Sequence, residues 1–194
     1  MSIKTIIFDF DGTLADCKEL HQQAFRHAVI SVCNGAEYDD ELVEGRPTRE
    51  KIKILKTMGY EFNADKLNDI KQHLTQEKLA DYVQFNPSLY EQMERLSHRY
   101  RLCVASNATE LFLNRSLEIL RIKDFMLRVN SATDFPAKPD TTTFYDCMKH
   151  TGSSPSTTAI FEDSPVGIQC AKSTGSWVIE VQDVEDTILK MKDF

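Results

Sequence analysis

Four polar clusters hold the side chains of this sequence that could do chemistry together: Asp9-Phe10-Asp11-Gly12-Thr13, Ser106-Asn107, Lys138-Pro139 and Glu162-Asp163-Ser164. Each alone has an ordinary structural reading. Asp-x-Asp-Gly is common in turns and caps, Ser-Asn starts helices, and Lys-Pro suits a surface turn. A calcium loop is excluded for the first cluster. Its sixth position counted from Asp9 is not glycine, and its twelfth is Leu20, where a bidentate glutamate is required. What singles the clusters out is their joint occurrence, three of them directly behind apolar runs.

In an open parallel sheet, ligands bind beyond the carboxyl ends of the strands, so clusters far apart in sequence converge on one edge. Three aspartates and Glu162 gathered there repel one another unless a cation intervenes. A hard cation with oxygen ligands meets that need, and Mg²⁺ suits carboxylates beside a bound phosphate. The set therefore suits phosphoryl transfer. Asp9 is the candidate nucleophile, forming an aspartyl phosphate. Asp11 is the candidate acid for the leaving oxygen and then base for water. Lys138, the Ser106 hydroxyl and loop groups at Gly12, Thr13 and Asn107 are the candidates for holding the phosphoryl charge.

The elements that must position these groups are legible in the apolar pattern. Residues 3–8 read as a buried strand, and similar runs lie at Leu102–Ala105, Thr158–Phe161 and Trp177–Ile179, with a weaker one from Phe125 to Val129. Helical patterns fall between them. Ser88 and Glu91 suggest a capping box ahead of Leu89, Met93 and Leu96. Leu111, Leu113, Leu117 and Leu120 form a second stripe, and Ser164-Pro165 starts a helix that ends near Gly175. Alternating strands and helices predict an α/β fold, a Rossmann-like parallel sheet flanked by helices. Residues 16–85 break the alternation. Leu20, Ala24, Ala28 and Val32, then Ile52, Leu55 and Met58, then Leu67, Ile70 and Leu74, all recur at helical spacing. The expected organisation is a core domain of 1–15 and 86–194 with an α-helical cap domain, 16–85, inserted after the first strand.

The 194 residues carry 30 acids against 23 Lys and Arg, a net charge of −7. That balance, without a basic stripe, argues against a nucleic-acid partner. No apolar run approaches the roughly 18 residues needed to span a bilayer, so no membrane partner is expected. The opening stretch MSIKTIIFDFDG meets two aspartates early and does not read as a signal peptide. The five cysteines are odd in number and lack a C-x-x-C pair, which fits reduced thiols and a cytoplasmic location. Oligomeric state is left open, and a monomer is compatible with the pattern.

With these residues in view, the chain resembles the haloacid dehalogenase superfamily over nearly its whole length. IIFDFDGTL resembles the first family motif, which implies Asp9 as nucleophile and Asp11 as acid/base. VASNAT resembles the second, with Ser106 as the phosphate-binding hydroxyl, and AKPD the third, with Lys138. IFEDSPVGIQCAKSTG resembles the fourth, with Asp163 as a magnesium ligand beside Glu162. The resemblance further implies that the Asp11 main-chain carbonyl binds Mg²⁺. The helical block looks like the cap of the branch that includes phosphoglycolate phosphatase and β-phosphoglucomutase, which closes over substrate and excludes water.

The chain departs from that branch in places. Ala137 precedes the lysine where glycine is common, and Glu44 precedes Gly45 where the mutases carry lysine. Arg49 resembles the mutase cap arginine but sits one residue later, and with Arg46 could hold a second anionic group. His21 resembles a hinge-region histidine of the branch, whereas His27, His73, His98 and His150 form no ligand pair and read as surface residues. The function so implied is a Mg²⁺-dependent phosphatase acting on a small phosphorylated metabolite. The alternatives are a sugar-phosphate mutase and a non-catalytic phosphate-binding relative; a receiver-like phosphoacceptor domain is disfavoured by the long helical insertion.

Overall fold

The apolar, β-branched runs form one sheet because their side chains can be buried on both faces only where helices cover both. In the computed structural model the described residues are 2–33, 38–39, 43 and 46–194. The elements run β1 (Thr5–Phe8), α1 (Lys18–Val32), α2 (Thr48–Thr57), α3 (Ala64–Glu77), α4 (Leu79–Tyr82), α5 (Pro87–Ser97), β2 (Arg101–Ala105), α6 (Glu110–Ile119), β3 (Met126–Asn130), α7 (Thr142–Thr151), β4 (Thr158–Glu162), α8 (Pro165–Ser173), β5 (Trp177–Glu180) and α9 (Val184–Met191). The chain divides into two compact units, Met1–Asp16 with Val83–Phe194, and Cys17–Tyr82.

The first unit holds a five-stranded sheet of order β3-β2-β1-β4-β5, with every pairing parallel. It is the α/β sheet flanked by helices that the sequence predicts. Central strand β1 is buried at every position. Ile7, Cys103, Ala105 and Ile160 meet Phe144, Cys147 and Met148 of α7 and Cys170 and Ala171 of α8. The strand period of two turns Ile6, Phe8, Leu102, Val104, Ala159 and Phe161 to the other face. There the Phe8 and Phe161 rings lie 5.0 Å apart, and Phe161 meets Phe194 at 5.6 Å. Each such side chain, fully buried, contributes about 1.5–3 kcal/mol.

Three sequence expectations need correction here. The Trp177 run is not a buried strand: β5 is a sheet edge, and Trp177 is 56% exposed with its ring stacked on Phe194 at 5.1 Å. In α6 Leu113 and Leu117 are buried as the stripe predicts, as is Leu120 just beyond, but Leu111 is 59% exposed and Phe112, whose ring packs edge-on against Phe10, takes the inward place. The capping box at Ser88 does not form. Asn86 is the N-cap of α5, its Oδ1 accepting from the Leu89 N–H, with Pro87 in the first turn. The proline pre-sets the first helical φ, which places the helix start ahead of Ser88. By contrast Ser164 caps α8 as predicted, accepting from the Gly167 N–H.

The second unit is helical, and no strand occurs among its described residues. Phe25, Ala28 and Val29 of α1, Val43, Leu55 of α2 and Leu67 of α3 form its core. Along α3 the buried line is Leu67, Lys71 and Thr75, while Ile70 and Leu74 are half-buried, so the innermost face is rotated from the apolar stripe in the sequence. Among the described residues no helix is long and apolar enough to cross a membrane.

The cap assignment on α5 is testable by urea unfolding. Asn86→Ala is expected to cost about 1 kcal/mol by removing an N-cap acceptor, whereas Ser88→Ala, in an exposed first-turn position, is expected to stay within about 0.5 kcal/mol.

Candidate active site

Strand register brings the first and fourth clusters together. Phe8 pairs with Val104 on one side and Phe161 on the other, so Asp9, Ser106 and Glu162 emerge at the same carboxyl edge of the three central strands. Lys138, from the segment between β3 and α7, reaches into that edge. Its Nζ donates to Asp9 Oδ1 and to Glu162 Oε2, both at 2.6 Å, and all three side chains are buried. The ammonium lies 5.1 Å from the Phe144 ring centroid. Burial alone would drive the Lys138 pKa down, but the charges and hydrogen bonds of Asp9 and Glu162 outweigh it and hold the ammonium above the usual lysine value. Burial is also the main cause that raises the Asp9 carboxyl well above its ordinary value. The Glu162 charge adds to this, and Lys138 opposes it.

The fourth cluster is built by two close approaches. Gly12 has φ +89°, and a Cβ there would overlap the Asp163 carboxylate, so the turn after Asp11 and the end of β4 are packed backbone against side chain. A Cβ on Gly167 would likewise overlap the Glu162 carboxylate. Both Glu162 oxygens are engaged: Oε1 accepts from the Ser164 N–H and hydroxyl at 3.2 and 2.9 Å, and Oε2 from Lys138. Asp9, Glu162 and Asp163 each present a carboxylate oxygen within 4.8 Å of the others. Three acids against one ammonium, offering oxygen donors only, fit a hard divalent cation of the Mg²⁺ type.

The remaining predicted residues fall in several places. Ser106 is buried; its N–H donates to the Asn130 carbonyl at 3.0 Å and its Oγ accepts from the Ala108 N–H at 3.2 Å. Asn107 Oδ1 accepts from the Lys138 N–H at 2.7 Å, a tie between the second and third clusters. The N–H of Gly12 donates to the Ala15 carbonyl and that of Thr13 to Phe10, and Thr13 is fully buried. Both amides are thus used within their own turn rather than turned outward. Asp11 is half-buried in that turn.

Arg49 lies in the first turn of α2, and Arg46 just ahead of it pairs with Glu50 at 3.9 Å. Glu44 and Gly45 lie outside the described residues. His27, His73, His98 and His150 are exposed, as expected. His21, in the first turn of α1, places Nδ1 3.4 Å from the buried Lys71 Nζ. An ammonium has only donors, so Nδ1 is the acceptor and the ring proton sits on Nε2.

Sequence reasoning missed Lys71, Gly167 and the tie made by Asn107. For Gly167 a signal existed: a glycine inside a helix usually has a packing reason. A lysine in an amphipathic helix carries no such signal.

Residues 6–181 match the family described as haloacid dehalogenase-like hydrolase, and the chain belongs to that family. It is therefore an enzyme of hydrolase type. A phosphorylated carbohydrates phosphatase of Thermotoga maritima is 28% identical over 183 residues, 89% of this chain and 82% of its own length. A β-phosphoglucomutase of Bacillus subtilis is 26% identical over 192 residues, 92% of this chain and 83% of its own length. Among solved structures, CbbY from Rhodobacter sphaeroides in complex with phosphate superposes with a TM-score of 0.79 at 19% identity, covering 92% of this chain and 86% of that one.

His21 supplies a pH test. Burial, then the Lys71 and Lys51 charges, lower its pKa to about 3. The unfolded chain binds the proton near pH 6.5 and the folded one does not, so stability is complete above about pH 6.5 and declines as pH falls toward 3. Urea midpoints at pH 7 and pH 4.5 should differ less in His21→Gln than in the parent protein.

Proposed function

We propose that the chain is a phosphatase that hydrolyses the monoester of a small phosphorylated metabolite through an aspartyl phosphate on Asp9. The observation that carries this reading is the Lys138 ammonium held 2.6 Å from both Asp9 and Glu162 at the carboxyl edge of the sheet. Two of its three donors are spent on those acids, leaving the third for a phosphoryl oxygen. Glu162, both oxygens engaged, fixes Lys138; Asp9 and Asp163 are the residues that would hold Mg²⁺. That ion, when bound, would neutralise the acids and stabilise the charge of transfer.

In the first step an Asp9 oxygen bonds to phosphorus as the ester P–O bond breaks, and Asp11 gives its proton to the departing alkoxide. In the second, Asp11 takes a proton from water, the hydroxyl oxygen bonds to phosphorus, and Asp9 and inorganic phosphate separate. Lys138 and the Ser106 hydroxyl hold the phosphoryl oxygens through both steps. The relative named a phosphorylated carbohydrates phosphatase supports sugar phosphates as the first substrates to screen. The relative named β-phosphoglucomutase supports a second outcome, return of the phosphoryl group to a sugar phosphate. Phosphate release from a sugar-phosphate panel, with product analysis on β-glucose 1-phosphate, separates the two.

The two aspartates should differ in kind. Asp9→Asn is expected to fall to background on every ester. Asp11→Asn is expected to lose about 10²–10⁴-fold on alkyl phosphates, the usual worth of proton transfer, and much less on p-nitrophenyl phosphate, whose leaving group needs no proton. Equal losses on both substrates would overturn the assignment. Exhaustive EDTA treatment should abolish phosphate release and added Mg²⁺ restore it; full activity in EDTA would exclude the metal role.

A further inference from the structure

The Lys138 segment is fastened at the peptide groups on either side of the Lys138–Pro139 bond by side chains that the reaction above leaves without a chemical step. On one side, Asn107 Oδ1 accepts from the Lys138 N–H at 2.7 Å. On the other, Cys170 of α8 directs its Sγ–H at the Pro139 carbonyl, 3.2 Å away, with the Asp140 carbonyl at 3.5 Å. Cys170 is buried, and burial raises its thiol pKa, so it remains a donor. Three residues earlier on the same helical face lies Gly167, which receives the Glu162 carboxylate. One helix face thus backs both the acid that holds Lys138 and the backbone that carries it.

We infer that Cys170 is a positioning residue for Lys138, acting with Asn107 as a two-sided clamp on the 138–140 backbone. The inference rests on the catalytic reading of Lys138 given above. The thiol touches no reacting group; it sets where the lysine stem begins, while Glu162 sets where the ammonium ends.

The clamp is tested by Cys170→Ala, which removes the donor, and Cys170→Ser, which keeps one. Amide hydrogen exchange at Lys138 and Asp140 is read alongside phosphatase kinetics. Exchange at both amides should quicken severalfold in Cys170→Ala and return toward the parent rate in Cys170→Ser. Asn107→Ala, at a half-buried position, should quicken the same amides from the other side. In kinetics, Cys170→Ala should lower kcat about tenfold with KM unchanged, since a displacement of about 1 Å can cost up to about 10²-fold. In a Lys138→Met background it should add nothing. Unchanged exchange in Cys170→Ala, failure of serine to restore it, or an additive loss in the Lys138→Met background would each overturn the inference. If the parent protein released no phosphate from any ester, the exchange measurement would still decide the clamp, and the failure would belong to the phosphatase reading alone.

Discussion

A single buried ammonium holds the carboxyl edge of the sheet together. Asp9 and Glu162 stand on adjacent parallel strands, and strand pairing alone would set their carboxylates side by side without solvent. Lys138 makes that tolerable by donating to both at 2.6 Å. Truncating one partner of a buried charge set typically costs about 3–5 kcal/mol, because the survivors are left uncompensated. The same arrangement raises Asp9 well above the ordinary carboxylate range through burial and Glu162. The three clustered acids are thus two positive charges short of balance, and a divalent ion at Asp9 and Asp163 would supply what Lys138 does not.

Much of the surrounding structure can be read as serving that contact. Gly167 gives the Glu162 carboxylate room, and Ser164 occupies its second oxygen while also capping α8. Gly12 allows Asp163 to approach the turn that follows Asp11. Phe144, in the core between sheet and α7, closes over the ammonium. Removing water from around an ion pair strengthens it, at the cost of demanding a partner for every polar atom. The dense hydrogen bonding of Glu162 meets that demand.

The strand centres and the four clusters were legible in the sequence because they depend on local pattern: a β-branched apolar run followed by a polar group. The sheet edge was not legible. The Trp177 run has the composition of an interior strand, and only the strand order leaves it outside. The start of α5 was misplaced because Ser88 and Glu91 form an acceptable box, whereas Asn86-Pro87 competes through backbone preorganisation. Lys71 could not be found, since its burial beside His21 arises from how α1 and α3 pack. Asn107 was read as a group facing phosphate; its tie to the Lys138 N–H spans 31 residues and is invisible to any local rule.

The insertion point of the helical unit carries a consequence for biosynthesis. β1 lies at the centre of the sheet, yet its neighbours begin at Arg101 and Thr158. During translation at about 5–20 residues per second, Ile6, Ile7 and Phe8 therefore wait on the order of ten seconds for both partners. The core of the helical unit, from Phe25 to Leu67, is complete on the ribosome before β2 exists. The strand that leads into the nucleophile candidate is thus made well before either of its partners. Over that interval it is an apolar, unpaired strand edge, the kind of segment that holdase chaperones bind.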